Sequence, residues 1–320
     1  MRKIIYGGLF LAAVGIGFVG CKKDNMNKLE RSQNNALEFN SMEELKSKIK
    51  ELESMNEEDR RIYENQNGYK SLYTQVHEVY EEINMDEVKD RKEVYDHVNR
   101  NQNLLEIAKN EDGELEYRPF YSDNPYSLVA NGNRMIIVDS ICLKVFDDGL
   151  ISTNAENFDK LKSQESRSVK NTNLNSDFNI SHFRSLDASI KSHCGSYKED
   201  IEDDNRDRTK LWVECFYENI SGIPYVTGRG QIRPYKKTLG IWYFARRTIE
   251  GRIKFDVSYT LNGQTEVYQF NQIIPANLSY TQSKAFNEPL WPNVPSNVRF
   301  TSIDSWGDTP STGTATIICH

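Results

Sequence analysis

One alternating segment constrains the fold of this 320-residue chain more than any other. Over residues 252–261, apolar side chains occupy every second position, from Ile253 to Leu261. Because successive strand residues point to opposite faces, this pattern predicts a strand with one buried face. Asn262 and Gly263 follow, and this pair favours a tight hairpin turn. Residues 265–270 are therefore predicted to return beside the first strand.

The same part of the chain contains more segments of this kind. In residues 211–218 the apolar odd-numbered positions alternate with Trp212, Glu214, Phe216 and Glu218. Further candidate strands cover residues 241–245, 298–303 and 314–319. Six or more strands at such spacing are typical of a sandwich or a barrel, and the uneven turn lengths favour the sandwich. We predict an antiparallel, all-β, sandwich-like domain over residues 185–320.

The first half of the chain has helical spacing instead. Ser41 and Glu44 form a capping box that predicts a helix start, and Asn56 marks a second one. Apolar residues at helical intervals predict a third helix near residues 72–83 and a fourth over residues 86–109.

A small β-meander is predicted to follow these helices. Apolar runs at residues 135–138 and 141–146 are separated by a short polar turn. Residues 163–184 are rich in Ser and Asn, which is typical of a linker. The predicted fold class is α+β, with a helical domain and β-hairpin over residues 39–162, the linker, and the sandwich-like domain.

The first 21 residues have the layout of a secretory signal. Arg2 and Lys3 precede an uncharged run over residues 4–19, which ends at Gly20 and Cys21. A small residue before a cysteine resembles the lipobox of bacterial lipoproteins. That resemblance implies cleavage after residue 20 and lipidation of Cys21. The polar composition of the residues that follow predicts a flexible tether over residues 21–38. The alternative, a transmembrane anchor, is disfavoured because the run falls short of roughly 20 apolar residues.

The net charge and the residues after Cys21 limit the partners and the location that can be expected for this protein. The net charge of −7 lacks the basic excess that nucleic-acid binding requires. The residues after Cys21 are Lys22-Lys23-Asp24-Asn25, and their mixture resembles a signal for export to the bacterial surface. We predict a cell-envelope protein, lipid-anchored at the outer membrane, either surface-exposed or facing the periplasm.

The cysteines beyond the lipidation site are Cys142, Cys194, Cys215 and Cys319. Two of them, Cys215 and Cys319, share the phase of the apolar residues in their predicted strands. They are candidates for a disulfide across the core, or for two buried thiols.

No sequence motif indicates a catalysed reaction. The zinc-protease, serine-hydrolase and phosphate-loop patterns are absent. The acidic residues 200–207 resemble part of a calcium loop, but Arg208 stands where that loop requires glycine. The sequence therefore predicts no catalytic residue, no metal and no cofactor.

Aromatic side chains are the candidate binding residues. Trp291 and Trp306 lie in loop-like sequence, and loop aromatics can stack on sugars or anchor a protein. Trp212 and Phe216 share the non-core face of one predicted strand, so they either serve the same purpose or face the helical domain. The alternative is that these rings cap the ends of the sandwich, since large apolar rings are mostly buried.

Three segments stand out together: the opening Phe39-Asn40-Ser41-Met42-Glu43-Glu44-Leu45, the segment Asn67-Gly68-Tyr69-Lys70-Ser71-Leu72, and Asn131-Gly132 before the hairpin. As a set they resemble a group of uncharacterised lipoproteins, with a domain of unknown function, from gut Gram-negative (Bacteroides-type) bacteria. The resemblance covers residues 21–150. This chain has Val138-Asp139 where such relatives often place Gly-Asp. The group implies no known activity.

These observations favour a noncatalytic binding module with a glycan or protein ligand, held to the membrane by its lipid. A polysaccharide-acting hydrolase and a scaffold subunit of an envelope complex are the alternatives. A cleft with facing carboxylates would favour the hydrolase, and a large exposed apolar patch on the helices would favour the scaffold.

Overall fold

The computed structural model describes residues 37–110, 112–172, 176–182, 194–204, 206–220, 223–289 and 294–319. Within these ranges the fold is α+β and mostly β, with five short helices and about 51% strand. The helices are α1 (Met42–Ser54), α2 (Glu57–Gln66), α3 (Leu72–Glu81), α4 (Arg91–Arg100) and α5 (Phe158–Lys162). The strands are β1 (Glu38–Phe39), β2 (Leu105–Lys109), β3 (Leu115–Pro119), β4 (Met135–Val138), β5 (Ile141–Phe146), β6 (Gly149–Asn154), β7 (Asn179–His182), β8 (Tyr197–Asp204), β9 (Asp207–Ile220), β10 (Ile223–Thr238), β11 (Ile241–Phe244), β12 (Arg247–Leu261), β13 (Gln264–Ser279), β14 (Gln282–Pro289), β15 (Ser296–Thr309) and β16 (Gly313–Cys319).

The predicted helix starts agree with the structure. The Ser41 Oγ accepts a hydrogen bond from the Glu44 backbone N–H at 3.1 Å, which satisfies one of the free donors of the first turn. The Asn56 side chain caps α2 in the same way, through the backbone N–H of Asp59 at 2.9 Å.

The predicted helix over residues 86–109 is wrong in its second half. Helix α4 ends at Arg100, and strand β2 follows. The Asn101 side-chain amide donates to the His97 carbonyl at 3.1 Å, and its backbone N–H donates to the carbonyls of His97 and Val98. Asparagine competes with the helix for such backbone groups, so it ends the helix despite the apolar residues beyond it.

The first sheet has five strands in the order β1-β4-β5-β6-β7. Its β4 and β5 have the predicted bounds. Asp139, in the turn between them, has φ 51°, a left-handed conformation that aspartate tolerates. Strand β7 lies inside the segment predicted to be a linker, and two side chains of that segment, Val169 and Phe178, are buried beneath the sheet. Part of the predicted linker is therefore ordered.

The second sheet has seven strands and combines both halves of the chain. Its order is β2-β3-β11-β10-β9-β8, and β14 pairs with the first part of the long strand β10. Strands β3 and β11 are parallel neighbours, so the β2–β3 hairpin extends the sheet that the C-terminal half forms.

The third sheet has the order β13-β12-β15-β16. The β12–β13 turn is the predicted one, since Leu261 pairs with Gln264 and the two turn residues have φ values of 52° and 81°. These strands are longer than predicted, with 14 to 16 residues in β12, β13 and β15.

One apolar core is shared by the second and third sheets. It contains Leu211 and Val213 of β9 together with Ile253 and Phe255 of β12. The two sheets approach closely at Gly307, where an added Cβ would meet the Ile232 side chain at 2.7 Å. A second core joins α1 and α3 to the first sheet and to the β9–β10 end of the second.

Candidate functional site

A polar cavity of about 200 Å³ lies where the β2–β3 hairpin meets β8, β9 and β10. We call it the junction cavity. Strand alternation places its side chains: the odd-numbered residues of β9 enter the core between the sheets, so Arg208, Lys210 and Trp212 face the other way. Arg233 and Tyr235 of β10 face the same cavity.

The charged groups of the junction cavity are largely matched with one another. Arg233 forms an ion pair with Asp123. The Lys210 Nζ lies 2.8 Å from the Glu199 Oε2, and the Arg208 Nη2 lies 2.7 Å from the Asp203 Oδ2. These pairs hold the walls in place and leave the cavity without a strong excess of either sign.

Two groups of this lining lack partners. The Glu116 side chain, half-buried on β3, makes no hydrogen bond or ion pair with any part of the chain that the structure describes. Burial raises the pKa of its carboxyl group, while Arg118, Arg233 and Lys210 oppose that rise. The Nε–H of Arg233 is buried and also has no acceptor within the described residues. Of these two groups, only the Glu116 carboxyl group is within reach of a ligand, because the Arg233 Nε is fully buried.

Trp212, one of the predicted binding residues, contributes to the wall of this cavity. Its side chain is only 4% exposed, and the Arg233 guanidinium lies 5.1 Å from the ring centroid. The ring therefore has no open face on which a ligand could stack.

The other predicted aromatic residues lie elsewhere. Phe216 is buried in the core that contains α1, so it faces the helical part of the chain, as one of the two sequence interpretations held. Trp306 was expected in a loop, and that is wrong: it lies half-buried within β15, opposite Arg252 of β12. Trp291 lies outside the described residues, as does Cys21.

The structure corrects the predicted cysteine pairing. A disulfide joins Cys194 to Cys319, whereas Cys215 is a free, buried thiol. Cys215 and Cys319 do share one core, as their phase in the strands indicated. Phase alone does not fix the distance along the strands, and Cys194 lies before β8 in a segment without a strand pattern. Burial raises the pKa of Cys215 well above its usual range, and that of Cys142 to about 11, so neither thiol is poised to ionise.

Exposed apolar side chains collect on the third sheet rather than on the helices. Ile273 is 72% exposed and Ile318 is 64% exposed, on strands β13 and β16. The helices carry isolated examples, such as Ile62 of α2. Across the described ranges, no group of three His, Cys, Asp or Glu side chains has an arrangement that could hold a metal ion.

Sequence reasoning missed the residues of the junction cavity outside β9. Strand β10 was not predicted, because Gly228, Gly230 and Pro234 interrupt its apolar pattern. A signal was nevertheless present, since the long polar residues Arg229 and Arg233 fall in the same phase of that segment.

Comparisons with known proteins add little information about the function of this site. No protein-family model matches the chain, and no curated protein matches it. A crystal structure of a DUF4848 family protein from Bacteroides thetaiotaomicron is similar at 12% identity and a TM-score of 0.30, over 90% of this chain and 98% of that one. That neighbour belongs to a family of unknown function. Within the described residues, which begin at 37, no helix has the length and apolar character needed to cross a membrane.

Proposed function

We propose that this protein is a noncatalytic binding module of the cell envelope and that it recognises a neutral sugar through the junction cavity. The carrying observation is the Glu116 carboxyl group, which lines that cavity half-buried and without a hydrogen-bond partner among the described residues. A hydroxyl group donates hydrogen bonds, so a hydroxyl-rich ligand would supply this missing partner.

The surrounding pairs support the same proposal. Because Asp123 and Glu199 are already bound to basic partners, the cavity favours hydroxyl groups over a charged ligand. Its volume of about 200 Å³ lies below the roughly 300–1,000 Å³ of pockets for drug-sized molecules. A single sugar ring at a chain end is the unit of matching size.

The test is a glycan array on the full-length protein in a nonionic detergent, followed by calorimetry with the strongest sugar. Glu116→Ala is expected to weaken binding at least tenfold. Glu250→Ala removes an exposed carboxylate from β12 and serves as the matched control, with unchanged binding. Equal affinities of the two variants would remove the junction cavity from the proposal.

The polysaccharide hydrolase remains the second candidate, because Glu116 has the raised pKa of a general acid and shares its cavity with Asp123. Glu116→Gln separates the two functions. In a hydrolase it abolishes turnover while the amide retains binding, whereas a binding module shows no turnover in either form.

The membrane attachment belongs to this proposal as well. Lipidation of Cys21 would tether the body at the outer membrane, and the packing of the second sheet on the third supports describing that part as a β-sandwich. Cys21→Ser is expected to release the protein from the membrane fraction and to abolish palmitate labelling. Unchanged fractionation of that variant would contradict lipid anchoring.

A further inference from the structure

A second cavity, of about 390 Å³, lies over the first sheet and has a different character. We call it the basic cavity. Four cations line it, namely Arg134, Lys144, Lys162 and Arg167, against one carboxylate, Glu165. This excess is local, because the whole chain has a net charge of −7.

The chain holds two of these cations with carbonyl oxygens instead of carboxylates. The Lys144 Nζ donates to the Lys162 carbonyl at 2.6 Å. The Arg134 guanidinium donates to the carbonyls of Ser166 at 2.6 Å and Gln164 at 2.7 Å. Within the described residues neither Arg134 nor Lys144 has a carboxylate within ion-pair distance.

Lys144 makes this arrangement unusual. It lies on the central strand β5, its exposed fraction is 2%, and it is one of few basic side chains buried to that degree. Buried charges are normally paired, because the loss of hydration is otherwise uncompensated. Two of its three N–H groups remain available beyond the bond to the carbonyl.

We propose that the basic cavity is a binding site for a sulfate or phosphate group carried by a small molecule. Its charge would offset Lys144 and Arg134, and Arg167 would contact it from the rim. The cavity is much larger than one such ion, so there is room for the molecule that carries the group. This site is separate from the junction cavity, and the proposal does not depend on the sugar-binding function.

The site has a built-in dependence on pH. The pKa of Lys144 is lowered to about 7, chiefly by burial and also by Arg134 and Lys162, while Glu165 opposes the shift. An anion binds the protonated form, so affinity is highest below pH 7 and declines above it. Sulfate keeps its charge over this range and is the appropriate probe. We expect its affinity to fall roughly twentyfold from pH 6.5 to pH 8.5.

The experiment measures sulfate and phosphate binding to the full-length protein in a nonionic detergent, by calorimetry and thermal unfolding at constant ionic strength. Saturable binding at pH 6.5 is expected for the parent and for Lys170→Gln, which removes an exposed cation outside the cavity. Lys144→Met and Arg167→Gln are expected to weaken it at least tenfold. Sulfate stabilises proteins in general, so only a saturable response that depends on these residues counts.

The source of the group is tested with glucosamine 6-sulfate and glucose 6-phosphate at the same pH. Tighter binding of one of them than of its inorganic ion identifies the carrier class. Equal responses of the parent, Lys144→Met and Lys170→Gln, or no saturable response to either ion, would overturn the proposal.

Discussion

Two regions with buried cations differ, within the described residues, in how the chain neutralises the positive charge. Where α1 contacts β9 and β10, the Lys46 Nζ lies 2.6 Å from the Glu218 Oε2, with side chains 9% and 2% exposed. Nearby, Arg229 forms an ion pair with Glu214. In the basic cavity the Lys144 Nζ donates to the Lys162 carbonyl and has no carboxylate partner among the described residues.

The difference separates a structural contact from a candidate binding site. A buried cation that is paired with a carboxylate of the same chain is already neutralised without a ligand. The Lys46–Glu218 pair in addition fixes the position of α1 on the sheet. A cation without one raises the free energy of the empty site, and a bound anion would lower it. Each of the following predictions tests that distinction.

Glu218→Gln should give the largest effect. Burial already lowers the pKa of Lys46, and Glu218 opposes that shift, so the variant leaves a buried charge without its counterion. We expect a loss of about 3–5 kcal/mol in the free energy of unfolding, measured by urea denaturation. The double variant Lys46→Met with Glu218→Leu should recover most of it, because both charges then disappear. A loss below about 1 kcal/mol would show that this pair is not structural.

The sequence allowed one side of this contact to be foreseen. Lys46 lies beside the apolar stripe of α1, at helical distance from Met42 and Ile49. The aliphatic part of its side chain is therefore expected to pack near the core. Its partner is 172 positions away, and no local pattern joins them. Alternation likewise predicted which face of β9 enters the core, but not what covers the other face.

The basic cavity could not be foreseen for the same reason. Arg134 precedes β4, and Lys144 lies on β5. The carbonyl that holds Lys144 belongs to Lys162 at the end of α5, and those that hold Arg134 come from the segment that was expected to be a linker. Only the tertiary fold brings these three segments together.

His77→Phe should give the next largest effect and extends the comparison to pH. His77 is buried among Tyr73, Tyr80 and Tyr280, and neither ring nitrogen has a partner within the described residues. Its pKa is lowered to about 3, chiefly by burial and also by the nearby Arg60 and Arg233. Below pH 6.5 the histidine is therefore protonated in the unfolded chain but not in the native protein. The free energy of unfolding decreases as the pH is lowered.

From pH 7 to pH 5 this histidine should account for about 2 kcal/mol of lost stability. The phenylalanine variant lacks the titrating group, so its denaturation midpoint should decline less over that range. If parent and variant lose stability in parallel, burial and the nearby Arg60 and Arg233 do not lower the pKa of His77 as described.

Lys144→Met should raise the free energy of unfolding, whereas the two preceding effects lower it. Removing an unpaired buried charge favours the native state, while the Lys162 carbonyl loses its donor, and we expect a net gain of about 1 kcal/mol at pH 7 without added anion. The native pKa of about 7 lies below that of the unfolded chain. The parent therefore gains stability as pH rises from 7 to 9, and the advantage of the variant should shrink. If the variant is less stable than the parent at pH 7, Lys144 stabilises the fold in the same way as the paired cation Lys46.

Glu78→Gln should have the smallest effect and calibrates the others. Lys70 and Glu78 form an ion pair with side chains 52% and 41% exposed, so water already solvates both charges. Breaking such a pair changes stability by about 0–1 kcal/mol, and added salt should reduce even that. If instead this loss approached that of Glu218→Gln in the same urea titration, burial would not be what distinguishes the two regions. The contrast between paired and unpaired cations would then need another cause.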